Sequence, residues 1–109
     1  MQTKEEKITI DAQYLASKRL ELSINQDIIN FIDAKLAENY QNNSVVISSN
    51  YLANNLDRLN KNKNFVLTDL LAEKIVDFYS KNRGIPCNIS TIFIGSEKII
   101  SIKFLLTNL

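Results

Sequence analysis

The sequence predicts an α+β domain, a helical layer packed on a small, mostly antiparallel sheet. Three observations predict it. Apolar residues recur at helical spacing in Ile24, Ile28, Ile32 and Leu36, and again in Leu67, Leu71, Ile75 and Phe78. A β-branched run, Val45-Val46-Ile47, stands between helical stretches. The C-terminal part is rich in Ile and Phe on both sides of Gly95-Ser96-Glu97-Lys98, the pattern of a β-hairpin. The expected order is strand or helix, then helix, strand, helix, helix, strand, strand.

Taken in order, Met1 to Lys7 is charged and is expected to be flexible. Ile8 and Ile10 alternate with polar residues, as in a short edge strand. Asp11 equally suits the cap of a helix running to about Leu22, with Leu15, Arg19 and Leu22 on one side, and the pattern leaves both readings open. Ser23 with Gln26 forms a capping box for the next helix, which runs to about Tyr40 and is ended by Gln41-Asn42-Asn43. Val45 to Ile47 is a strand. Ser49 is placed to cap a helix with Leu52, Leu56 and Leu59 on one face. Alternating Asn and Lys from Asn60 to Asn64 read as a solvated loop. Thr68 caps the last helix. Lys81 and Arg83 sit where cations suit the helix dipole, and Gly84 is the left-handed stop before Pro86.

The hairpin strands are Asn88 to Ile94 and Ile99 to Leu106. Loops of two or four residues preserve the same side-chain parity, so the faces follow without the turn type. One face carries Ile89, Thr91 and Phe93 with Ile100, Ile102 and Phe104, and is expected to meet the core. The other carries Asn88, Ser90, Ile92 and Ile94 with Ile99, Ser101, Lys103 and Leu105, polar at its base and apolar near the turn.

Composition bounds the chemistry. A chain of 109 residues, 45% of them hydrophobic, suits a single domain with a real core. Its one cysteine, Cys87, has no internal partner and reads as a small buried hydrophobe, which fits a reducing, cytoplasmic setting. No run approaches the ~18 apolar residues of a membrane span, and the N-terminus lacks the pattern of a signal peptide. Thirteen basic and 12 acidic residues give a net charge of +1, which offers no large basic footprint. Without histidine there is no usual general base near neutral pH and no Ser-His or Cys-His nucleophile. One cysteine and no histidine rule out a structural zinc site, and Gly84 and Gly95 are too far apart for a phosphate cradle. Asp69, Glu73 and Asp77 recur every four residues, but they read as a solvated helix face rather than a cation site. No catalytic, cofactor or metal residue is assigned; carboxylate–magnesium chemistry is left formally open.

Two uses of such a domain emerge. From Ser23 onward the element order resembles that of winged-helix domains. The resemblance implies DNA binding, with Arg58, Lys61, Lys63, Arg83, Lys98 and Lys103 as phosphate contacts. Against it, the face of the last helix opposite Leu71 and Ile75 carries Asp69, Glu73, Val76, Asp77 and Ser80, where groove reading needs Arg, Lys, Asn or Gln. The favoured expectation is a non-catalytic protein-interaction module, an adaptor, chaperone-like subunit or inhibitor, self-associating through its sheet as a homodimer. Its contact residues are expected to be Ile92, Ile94 and Ile99, then Phe31, unless Ile8, Ile10 or the first helix covers that face within the chain. Phe31, Ala34 and Ala37 lie off the main apolar stripe, and Tyr40 and Tyr51 are expected at the core rim.

Overall fold

The computed structural model describes residues 11–60 and 66–107. The expected flexible residues 1–7, the strand at Ile8 and Ile10, and Lys61–Asn64 of the loop expected over Asn60 to Asn64 lie outside them, while Asn60 itself is helical. Helix α1 (Ala12–Ser23) resolves the ambiguity at Asp11, whose carboxylate accepts the Tyr14 N–H at 2.8 Å. The helix packs against the two longest helices of the fold through Leu20. Its expected stripe is a correction: Leu15, Arg19 and Leu22 face water, because α1 touches the body along the Leu20 flank.

Helix α2 (Gln26–Glu38) buries Ile28, Ile29, Ile32 and Leu36, with Ile24 just ahead of it. Its cap is Asn25, whose side chain accepts the Asp27 N–H at 2.8 Å, rather than the Ser23–Gln26 box. Ser23 is still inside α1, and only Ile24 and Asn25 separate the two helices. The helix stops short of Tyr40. At that end the Asn39 side-chain amide donates to the Lys35 carbonyl at 2.8 Å, while the Asn39 backbone N–H donates to the Leu36 carbonyl.

Strand β1 (Ser44–Ser48) runs directly into helix α3 (Ser49–Asn60), which buries Leu52 and Leu56. The hydroxyl capping α3 is that of Ser48, which accepts the Tyr51 N–H at 3.2 Å. Ser49, expected in that role, instead accepts the Ile100 N–H at 3.2 Å. Helix α4 (Asp69–Asn82) is capped by Thr68, whose hydroxyl accepts the Leu71 N–H at 3.1 Å. Leu67, Ile75 and Phe78 are buried as expected, joined by Ala72 and Tyr79. Val76, expected on the outward face, is partly buried against the core. Gly84 adopts φ +69°, and the Ile85 N–H returns to the Tyr79 carbonyl at 2.9 Å, turning the chain toward the sheet.

Strands β2 (Cys87–Ile94) and β3 (Glu97–Leu105) form the hairpin around a two-residue turn, Gly95-Ser96, with Gly95 at φ +63°. The sheet is antiparallel in the order β1-β3-β2. Ser48 lies opposite Ser101, so β1 ends there, whereas the β2–β3 pairing continues to Ile94 and Glu97. The described elements from α2 onward therefore follow the order helix, strand, helix, helix, hairpin, as the winged-helix resemblance implies.

Main-chain bonds fix which way each strand's polar groups point. Leu106 N–H bonds to Asn43 C=O at 2.8 Å, and Leu105 N–H to Pro86 C=O at 2.9 Å. With the register unbroken, the alternation of an antiparallel ladder directs even-numbered residues of β3 toward β1 and odd-numbered ones toward β2. Ile100 is even-numbered and lies just past the end of β1, so its N–H takes the Ser49 hydroxyl in place of a third strand. The core face packs Ile47, Ile100, Ile102 and Phe104 under the helices, with the Tyr79 ring edge-on to Phe104 at 5.3 Å.

Candidate interaction surface

The hairpin forms because β-branched and aromatic residues fill both strands and glycine supplies the positive φ of its turn. Beyond the end of β1 only two of the described strands remain, and the core-face side chains there lose the helical layer that covers the base. Ile92 is 53% exposed, Phe93 68% and Ile94 60%. Ile99 is half-buried directly opposite Ile92, and Ile94 faces Glu97. Ile92, Ile94 and Ile99 thus share the outer face near the turn, as the parity predicts, joined on that face by exposed Val46 of β1. Helix α1 packs on α2 and α4, on the other side of the sheet, and leaves this face open. Covering by Ile8 or Ile10 falls outside the described residues.

Three residues assigned to the core face depart from expectation. Ile89 is 37% exposed, and Thr91 and Phe93 are exposed too, because β2 is an edge strand and reaches past the helices. Sequence parity locates their face but not the edge of the layer above it.

Phe31 sits elsewhere. It is partly buried against the core, with its ring 5.6 Å from that of Tyr51 on α3. The Lys35 ammonium lies over the Tyr51 ring at 5.3 Å, and its pKa is raised by the Tyr51 hydroxyl and the Glu38 carboxylate. Phe31 is thus core rim on the flank of α2 and does not join the hairpin cluster. Ala34, Ala37 and Tyr40 are exposed, so Tyr40 is not the half-buried rim residue expected. Between α2, α3 and the free edge of β1 lies an open groove of about 570 Å³ lined by Lys35, Asn39, Asn42, Val46 and Tyr51 among others.

The cations named for nucleic acid are scattered. Lys61, Lys63 and the Arg58 side chain lie outside the description. Arg83 donates to Asp33 Oδ2 at 3.1 Å and stacks over the Phe78 ring at 5.0 Å. Lys98 donates to Asp69 Oδ2 at 2.6 Å, tying the hairpin to the start of α4. Lys103 is exposed on the outer face of β3. The outward carboxylates Asp69, Glu73 and Asp77 all face solvent on α4, Asp69 with Lys98 and Asp77 4.0 Å from Lys81. Among the described residues no group of three acidic or cysteine side chains is arranged to hold a metal ion.

Two polar arrangements were not legible in the sequence. Tyr79 is buried, and its hydroxyl donates to Asp33 Oδ1 at 2.7 Å and lies 3.2 Å from the Ile29 carbonyl. Burial and the adjacent Asp33 carboxylate push its pKa well above the tyrosine range. Cys87 is half-buried against the core, its Sγ 3.2 Å from the Ile85 carbonyl and 3.7 Å from the Ser80 hydroxyl; burial raises its pKa. A raised thiol pKa lowers the fraction of reactive thiolate. The only advance signal for Asp33–Tyr79–Arg83 was the polarity of its members, since their partners lie 46 and 50 positions apart.

Compared with known protein families, curated proteins and solved structures, the chain matches none. No described helix is long and apolar enough to cross a membrane.

Proposed function

We propose that this protein is a non-catalytic interaction module that binds another protein through the far end of its hairpin. The observation that carries the reading is the grouping of Ile92 and Ile94, each more than half exposed, beside half-buried Ile99 on the outer face, with Phe93 exposed on the opposite face of the same strand. Full burial of an Ile contributes roughly 1.5–3 kcal/mol, so leaving this group in water forgoes several kcal/mol that a partner would recover. Grouped exposure of this kind marks contact surfaces far more often than isolated apolar residues do. An adaptor, a chaperone-like subunit or an inhibitor would use the surface in the same way.

The test is the double variant Ile94→Asp, Ile99→Asp. It is expected to lose self-association and the proteins that co-purify with the wild type, while far-UV circular dichroism keeps the helical signal. A folded variant that retains every partner sinks the reading.

The order of elements from α2 onward supports a second reading, a winged-helix-like DNA-binding regulator. The acidic outward face of α4 opposes it, since carboxylates presented to phosphates are repelled. A gel shift across a salt series separates the two. Binding that is strong at low salt and falls steeply as salt rises would favour DNA.

A further inference from the structure

We infer that the edge of β2 that no described strand pairs lies antiparallel against β2 of a second copy of this chain, with Thr91 on the two-fold axis, so that the two sheets become one. This rests on the reading of the hairpin as an interaction surface and names its partner.

The strand is unusual as an edge. Cys87-Asn-Ile-Ser-Thr-Ile-Phe-Ile94 runs eight residues without a charge, a proline or a glycine, the devices that normally protect a sheet edge. The opposite edge is defended better: β1 has only five residues and borders the groove walled by Lys35, Asn39 and Tyr51. A two-fold interface brings each edge residue near its own copy, so like charges there would repel. β2 has none to repel.

The main chain limits the register. Asn88, Ser90, Ile92 and Ile94 bond toward β3, leaving the N–H and C=O groups of Cys87, Ile89, Thr91 and Phe93 directed to the open edge. Two copies can therefore bond only with odd-numbered residues opposite odd-numbered ones. Centring on Thr91 sets Ile89 opposite Phe93 of the second copy. These are the two apolar residues that β2 leaves exposed on the core face. They lie at the end of a row already begun inside the molecule. Ile47, Ile102 and Ile89 are successive neighbours across the sheet at 2%, 1% and 37% exposure, and Phe93 of the copy would extend that row. On the outer face, Ile92 would meet Ser90 of the copy, so the isoleucines near both turns gain a neighbouring strand.

The test reads oligomeric state and amide exchange together. Wild-type protein at high micromolar concentration is expected to sediment as a dimer. The amides of Ile89, Thr91 and Phe93 should become protected as concentration rises, while those of Ser90 and Ile92 are protected throughout. Thr91→Pro removes an outward N–H without touching the ladder to β3 and is expected to give a folded monomer. Phe93→Lys, which puts a charge on the edge, should do the same and stands in if the proline variant fails to fold. A monomeric wild type with concentration-independent exchange overturns the inference. So does a folded Thr91→Pro or Phe93→Lys variant that stays dimeric. If such a dimer is lost only in Ile94→Asp, Ile99→Asp, the copies meet on the outer face. Edge pairing then falls, while the interaction reading stands.

Discussion

Tyr79 joins two helices of the molecule through one oxygen. Its ring lies between Phe78 and Phe104, and its hydroxyl reaches from α4 to Asp33 on α2, where Arg83 approaches the other carboxylate oxygen. Replacing Tyr79 with Phe keeps the packing and removes the donor. The expected loss is about 1.5–3 kcal/mol in urea unfolding, the scale of one hydrogen bond to a charged acceptor. The phenol also gives stability a pH dependence. Its folded pKa is raised, so its contribution is fully present below the ordinary tyrosine value near ~10 and is lost as pH climbs from there toward the raised value. Urea midpoints should therefore fall more steeply above pH ~10 in the wild type than in Tyr79→Phe. None of this could be read from sequence, where Tyr79 sits one place off the Leu71–Ile75–Phe78 stripe and looks like helix flank.

The elements themselves were written locally, and their boundaries shifted only where neighbours intervened. Thr68 and Asp11 cap as their positions imply, because an N-cap needs nothing beyond its own next turn. Ser23 and Ser49 failed for a tertiary reason. One was absorbed when α1 and α2 abutted, and the other was drawn to Ile100, 51 positions away. The Gly84 stop was legible because few residues other than glycine accept its φ of +69°. An added Cβ there would meet nothing within 4 Å, so Gly84→Ala tests backbone strain alone. Its expected cost is about 1–2 kcal/mol, read as a lowered thermal midpoint with unchanged helical content.

Across the whole molecule, side-chain parity placed each hairpin residue it assigned on the face the register gives, yet exposure depended on where the other layers stop. Ile89 and Phe93 share a face with buried Ile100 and Ile102 and are still open to water, because strand order and helix reach are long-range facts. The outer cluster at Ile92, Ile94 and Ile99 was legible because it needed only alternation and a turn. Apolar burial and main-chain pairing, rather than ion pairs, would hold the proposed assembly together. Self-association should therefore survive added sodium chloride and strengthen in sulfate, a trend that sedimentation at several salts would check. The Lys98–Asp69 pair, exposed on both sides, is worth no more than about 1 kcal/mol and should fade over the same series without unfolding the domain.

One serine has an outsized effect on shape. By receiving the Ile100 N–H, the Ser49 hydroxyl lets β1 break off into a helix without orphaning the next amide of its neighbour. The hairpin is thereby free to project beyond the body as a two-ply ribbon whose last rungs have, among the described residues, no third strand to share. Its bare apolar end is thus a product of early termination next door: had β1 run two residues longer, that ribbon would have been walled from the side and less of it left open to water.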